Sequence, residues 1–445
     1  METGFPLVML VGPVAAAGAV MILRGRRRVS IIIGLVTVAV LTLLLAFARP
    51  GAGLFADNTV SFLGRELVLT PFIWSLFLYI YPALGVLFFV AWARPVGRAL
   101  VPVGLAVLSP LAAALMVTPA GLGAILLVVA AAIVLPVLHG GKFDAAVPAW
   151  RYFLLTAAAV APILLTTSGA LLATFSIGWF APLVATLLLL GGFPFYVWVA
   201  GLGRHTTPIA AALVLGLVQI VVVVFLLTLL DSVPAARATA EFQTAIRWSA
   251  ALTTLVGAFQ MGRAADWRGV VAGAIVLDMG FMLPVTLSPG TDGLGTALPA
   301  LIGRFLGLLL IALGMVRVAD RAGASRFSGW IEFLRPALLW FGVLSLLGLP
   351  LTPGFAGRWA QLAAVGQGGG IWPPLLLITA VAVGVAAVLR MVRRPAEARV
   401  ARDGHAPATT RFEIGLMLFL LGVAGLLGLF PNLLLGLAAR MLGVG

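Results

Sequence analysis

The sequence contains no cysteine, a single lysine, and charged side chains of all kinds at only 9% of its 445 residues. Without cysteine there can be no disulfide, thiolate metal site, cysteine-ligated iron–sulfur cluster or cysteine nucleophile. One lysine, Lys142, leaves amine chemistry almost nowhere to sit. The shortage of charge excludes most. Soluble domains carry roughly 25% charged residues, so this chain cannot cover a water-facing surface. Its bulk is apolar instead, with 62% hydrophobic residues and a mean hydropathy of +1.18.

Apolar runs long enough to cross a hydrocarbon core of roughly 30 Å recur along the chain. They leave no gap large enough for a soluble catalytic domain. The first run, residues 5–23, has no basic flank or small-residue cleavage site and is expected to be a retained span rather than a signal peptide. Cutting at charged or Pro/Gly-rich breaks gives spans near 5–23, 29–47, 68–93, 99–117, 120–138, 152–172, 180–202, 207–230, 247–262, 269–288, 295–316, 336–357, 371–392 and 412–430. The expected fold class is an all-α integral membrane protein of about fourteen transmembrane helices. Arg65 and Glu66 are expected as an interfacial pair at the start of the third span.

Basic residues alternate between loops. One side holds 21 of the 28, among them Arg24 to Arg28, Arg94, Arg98, Lys142, Arg151, Arg204, Arg263, Arg268 and those of the polar loop 393–411. The other side holds six, and Arg304 lies inside a span. Positive loops face the cytoplasm, which puts both termini outside, in a membrane expected to be a prokaryotic inner membrane. The formal charge of +14 is thus a topological signal, and no nucleic-acid partner is expected. The three histidines lie in loops without partner spacing, so no metal site is expected.

Two spans are interrupted, one by Gly191, Gly192 and Pro194, the other by Gly348, Pro350, Pro353 and Gly354. Such breaks free backbone groups that cannot stay unpaired in lipid, so they persist only inside protein or beside water. Interrupted helices at matching positions in two halves point to a repeated transporter with its site at the break. A packing kink is the plainer alternative.

The sequence around those breaks resembles the proton-translocating antiporter-like subunits of respiratory complex I, multisubunit cation/proton antiporters and membrane-bound hydrogenases. Phe193-Pro194-Phe195-Tyr196-Val197-Trp198, followed by His205-Thr206-Thr207-Pro208, resembles the family's "PFHxWLPDAxxxAPT" signature, one residue longer and without its acid. Asp266-Trp267-Arg268-Gly269 is similar to "DLKRLLAYSS", Gly348 through Trp359 to "GLPPLxGFxGKF", and Val388 through Val392 to "YYLRV". The resemblance implies two inverted five-helix repeats, helices 4–8 (99–230) and 9–13 (247–392), with helices 7 and 12 broken. An N-terminal part (1–98) precedes them, and the inner loop 393–411 and a C-terminal helix and tail (412–445) follow. In size the chain is nearest the N-type subunit of complex I.

The resemblance also implies a midplane row of Lys, Glu and His, and the first repeat departs from it. Leu126 to Val129 contain no acid, Leu189 stands at one expected lysine, and near another only Gln219 is polar. The second repeat keeps charge: Asp278 and Arg304 are mid-span, and Arg358 follows the second break. Ions in hydrocarbon are costly enough to count as functional positions by default. A carboxylate can exchange a proton in such a site, whereas arginine does not release its own. Asp278, Arg304, Arg358 and Gln219 are therefore the expected proton path, with Asp278 the group that protonates and the arginines setting the field. The alternatives are a buried Asp278–Arg304 ion pair, an Arg358 that reaches to the outer interface, and a Gln219 that only bonds helix to helix.

The implied function is a membrane-arm subunit of a redox-driven or cation-linked complex of the NADH:quinone oxidoreductase kind, contributing to proton translocation. Its partners are the bilayer, other membrane subunits, and protons or Na+. No bound cofactor and no catalytic chemistry of its own are expected. A non-conducting structural subunit and a stand-alone secondary transporter are the competing readings.

Overall fold

With no water in the bilayer core, backbone amides and carbonyls must pair within the protein, which favours helices, and the described residues are helical almost throughout. The computed structural model describes residues 5–23, 25–47, 59–62, 64–93, 97–140, 143–168, 178–315, 328–367, 370–393 and 411–443. The first helices are α1 (Phe5–Ile22), α2 (Arg27–Phe47), α3 (Pro71–Ala93), α4 (Leu100–Met116), α5 (Ala120–His139) and α6 (Asp144–Thr167). The first interrupted span is α7 (Phe180–Leu190) and α8 (Val197–His205), followed by α9 (Pro208–Asp231), α10 (Ala240–Arg263), α11 (Trp267–Leu287) and α12 (Gly290–Gly314). The second is α13 (Ser328–Leu347) and α14 (Phe355–Gly366), and α15 (Trp372–Arg393), α16 (Arg411–Leu429) and α17 (Pro431–Leu442) complete the chain. Among the described residues nine helices are long and apolar enough to cross a membrane.

Burial separates centre from rim. About 94% of the apolar windows of α9, α11 and α12 is covered by protein, against 33% for α2 and α15 and 28% for α16. A helix that is apolar all round belongs inside a bundle, so these three lie at the centre, and α2, α15 and α16 lie at the rim. The centre is also where backbones approach most closely. Gly257 on α10 faces Gly273 on α11 so tightly that a Cβ on Gly273 would lie 2.7 Å from the Gly257 carbonyl oxygen. Small residues of this kind let membrane helices pack on backbone contact, and here they fix the helix that carries Asp278.

Three details depart from the sequence expectation. Arg65 and Glu66 do not open a helix; they belong to strand β2 (Arg65–Val68), paired antiparallel with β1 (Thr59–Phe62). A two-residue strand β3 (Val117–Thr118) extends this into a three-stranded sheet. The short span expected at 247–262 is the 24-residue α10. Its polar first turns lack hydropathy, yet the Thr239 side chain caps them by accepting from the Phe242 amide, and Arg247 donates to the Gln367 carbonyl oxygen at 2.6 Å. Finally, α17 is a helix where only a tail was expected. Lys142 and loop residues 394–410 lie outside the described residues.

Candidate functional site: an ionic cluster at the second helix break

Both breaks begin the same way. A glycine in the left-handed region ends the helix, Gly191 at φ +60 after α7 and Gly348 at φ +69 after α13. A side chain elsewhere disfavours that conformation. Each break then frees a carbonyl two residues earlier, and each carbonyl finds a side-chain donor, from another helix at the first break and from the half-helix that follows at the second.

At the first break the donor is neutral. Gln219 Nε2 donates to the Leu189 carbonyl oxygen at 3.1 Å. On the far side, the Phe193 amide donates to Thr253 Oγ1 at 2.8 Å, and Ser249 Oγ donates to the Phe193 carbonyl oxygen at 3.1 Å. Pro194 has no amide to satisfy. Gln219 directly follows a π-helical stretch, Ala212–Val218, inside α9, a kind of bulge that concentrates at functional sites.

At the second break the donor is a cation. Arg358 Nη2, from the first turn of α14, donates to the Leu346 carbonyl oxygen at 2.7 Å. Ser345 Oγ accepts from the Gly354 amide at 3.1 Å, and Pro350 and Pro353 again bring no amide. The loop is wedged between helices. A Cβ on Gly354 would collide with the Ser345 carbonyl oxygen, and one on Gly303 of α12 would come within 2.6 Å of the Pro353 carbonyl oxygen.

Arg358 carries its counterion with it. The same Nη2 donates to Asp278 Oδ1 at 2.6 Å, and the other carboxylate oxygen, Oδ2, is held by Arg304 Nε. Arg304 Nη1 reaches Met279 Sδ at 3.2 Å. Arg358 Nη1 donates to Gln361 Oε1 at 3.2 Å, and its guanidinium lies 4.1 Å from the centre of the Phe281 ring, a cation–π distance. Asp278, Arg304 and Arg358 are 2%, 1% and 7% exposed. One carboxylate thus bridges two guanidiniums from different helices, a buried group of net charge +1. Removing one partner of a buried pair costs about 3–5 kcal/mol because the other is left uncompensated.

The structure therefore brings Asp278, Arg304 and Arg358 together, with Arg358 turned inward rather than toward an outer interface. Gln219 serves the other break. Sequence reading missed Gln361, Phe281, Met279 and the two backbone carbonyls. Gln361 lies three residues after Arg358, one helical turn along the same face, which is a usable signal. It also missed a second buried pair, Arg335 with Glu413 at 3.5 Å, which ties α13 to α16. Among the described residues of 99–230, no Asp, Glu, Lys, Arg or His side chain is buried. Among the described residues no group of three His, Asp or Glu side chains could share a metal ion.

No protein-family model matches the chain. A curated relative, NADH-quinone oxidoreductase subunit N 1 of Solidesulfovibrio magneticus, is 30% identical over 211 residues, 45% of each chain. The subunit N of Thiobacillus denitrificans is 27% identical over 271 residues, 57% of this chain and 53% of the relative. The chain thus spans about half the length of the curated relatives it matches. Likeness in three dimensions runs further. A chain of respiratory complex I from Thermus thermophilus with bound NADH superposes with a TM-score of 0.72 at 18% identity, covering 99% of this chain and all of that one. A chain of the Mrp complex from Dietzia sp. DQ12-45-1b gives 0.76 at 15% identity over 98% and 96%. The membrane-bound sulfane sulfur reductase, an archaeal respiratory membrane complex, gives 0.76 at 13% over 99% and 97%. The fold is that of antiporter-like membrane subunits.

Proposed function

We propose that this chain, a divergent homologue of the antiporter-like membrane subunits, is a membrane subunit of a complex I-like or Mrp-type assembly. In it the Arg304–Asp278–Arg358 cluster couples a proton to the broken helix α13–α14. The observation that carries this reading is that one nitrogen, Arg358 Nη2, serves both Asp278 and the Leu346 carbonyl oxygen freed by the break. Arginine keeps its protons, so Asp278 is the member that can exchange one. A proton on Oδ1 cancels the charge that holds Arg358 and leaves two guanidiniums repelling one another. Arg358 then shifts, and the carbonyl it holds loses its donor. A local charge change thus moves a two-state backbone element, as a switch requires. The coupled ion is H+, with Na+ as the alternative. In this reading the chain carries no redox group, and electron transfer belongs to partner subunits.

The test uses Asp278→Asn and Asp278→Glu in the intact complex, reconstituted into proteoliposomes in Na+-free buffer. Proton uptake is expected to fall in Asp278→Asn and to persist in Asp278→Glu. Unchanged uptake by Asp278→Asn, with normal assembly, would sink the role given to Asp278. A non-conducting, structural subunit is the second reading, favoured by the absence of buried Asp, Glu, Lys, Arg or His side chains among the described residues of 99–230. It expects both variants to change assembly and neither to change uptake per assembled complex.

A further inference from the structure

A cleft of about 540 Å³ opens between α6, α8, the end of α10 and the start of α11. It lies on the arginine-rich face, away from the ionic cluster. Arg151 of α6, Arg204 and His205 of α8 and Arg263 of α10 line it. No hydrogen bond or ion pair to a described residue engages Arg151, Arg204 or Arg263; Arg263 instead lies over the Phe259 ring, 5.3 Å from its centre. The nearest acid in sequence, Asp266, is occupied as the cap of α11, accepting from the Gly269 amide at 2.8 Å. The carbonyls at the end of α10 are also answered. Arg390 Nη2 donates to those of Met261 and Ala264 at 3.2 and 3.1 Å. Among the described residues, then, no carboxylate pairs with any of the three guanidiniums.

The wall below them is apolar. Phe259 and Val197 contribute to the lining and are 60% and 40% exposed. At the cleft's floor α8 packs directly on its neighbours, Gly201 against Pro148 of α6 and Gly203 against Ala272 of α11. A basic rim over an apolar wall matches one chemistry, an anionic head group whose chains continue down the wall. We infer that this cleft binds an anionic phospholipid of the inner leaflet, its phosphate held by Arg151, Arg204 and Arg263. Basic pockets between membrane helices on the cytoplasmic side take such head groups, and each guanidinium contributes roughly fivefold in affinity, about a hundredfold for three.

The full chain, purified in mild detergent, is titrated with phosphatidylglycerol, phosphatidylcholine or inorganic phosphate and examined by native mass spectrometry. The wild type is expected to retain phosphatidylglycerol about a hundredfold better than phosphatidylcholine. The triple variant Arg151→Gln/Arg204→Gln/Arg263→Gln should bring the two to near parity, each single variant about a fivefold loss. Arg28→Gln, an exposed arginine outside the cleft, should change nothing. The single variants keep the test decisive if the triple variant folds poorly. Equal retention of the two lipids by the wild type, or an undiminished preference in the arginine variants, overturns the inference. So does complete displacement of phosphatidylglycerol by millimolar inorganic phosphate, which would mark a site for free phosphate.

Discussion

Asp278 is the residue on which the buried charge balances. With it the cluster is +1, and in Asp278→Asn two guanidiniums remain with no counterion at +2. That variant is expected to lose about 3–5 kcal/mol of stability, read as a lower apparent Tm in detergent. Asp278→Asn/Arg304→Gln returns the cluster to +1 and should recover much of the loss; a double variant no more stable than Asp278→Asn would contradict the charge account. Gly348 is the second sensitive residue. A Cβ there would strike Arg358 Nε and would also sit at φ +69. Left-handed backbone alone costs a non-glycine residue about 1–2 kcal/mol, so Gly348→Ala should destabilise by at least that much in thermal unfolding. Asp278, Arg304 and Arg358 were legible in the sequence because an ion inside an apolar run stands out. Their partners were not, since a carbonyl such as that of Leu346 is present in every residue.

The two interrupted spans were equally legible, because glycine and proline remove the side chain or the amide that a continuous helix needs. What closes each break was hidden. Gln219 is 30 residues from the Leu189 carbonyl it serves, Arg358 reaches back across its own break to Leu346, and the π-helical stretch before Gln219 has no sequence signature. The difference in charge between these two donors gives a prediction. Gln219→Leu leaves the Leu189 carbonyl oxygen unpaired and should cost about 1–3 kcal/mol. Arg358→Met unpairs the Leu346 carbonyl oxygen and also releases Asp278 from one guanidinium, so it should additionally change proton uptake. Stability of both variants by thermal unfolding and uptake of both in proteoliposomes are the measurements. An uptake defect in Gln219→Leu equal to that of Arg358→Met would remove the asymmetry between the halves. The extent of α10 was missed for a different reason: Glu241 to Arg247 look like a loop by hydropathy, and only the Thr239 cap and the distant Gln367 carbonyl make them helix.

At the scale of the molecule, hydropathy gave the class and the approximate spans, but not which helices form the centre. That ordering comes from packing: α9, α11 and α12 are apolar like the rest and differ in being enclosed. Sidedness rests on the arginine count and is open to a clean test, because the chain has no cysteine. Gly25→Cys and Gly366→Cys occupy open positions where an added side chain meets nothing within 4 Å. In intact cells a membrane-impermeant thiol reagent should label position 366 directly and position 25 only after permeabilisation; the reverse pattern would invert the topology. The central claim, that the charge of Asp278 drives the broken helix, meets its most direct test in Asp278→Asn/Arg304→Gln within the intact complex. With net charge preserved, the account expects near-normal assembly but proton uptake in proteoliposomes reduced several-fold. Wild-type uptake by the assembled double variant would contradict it.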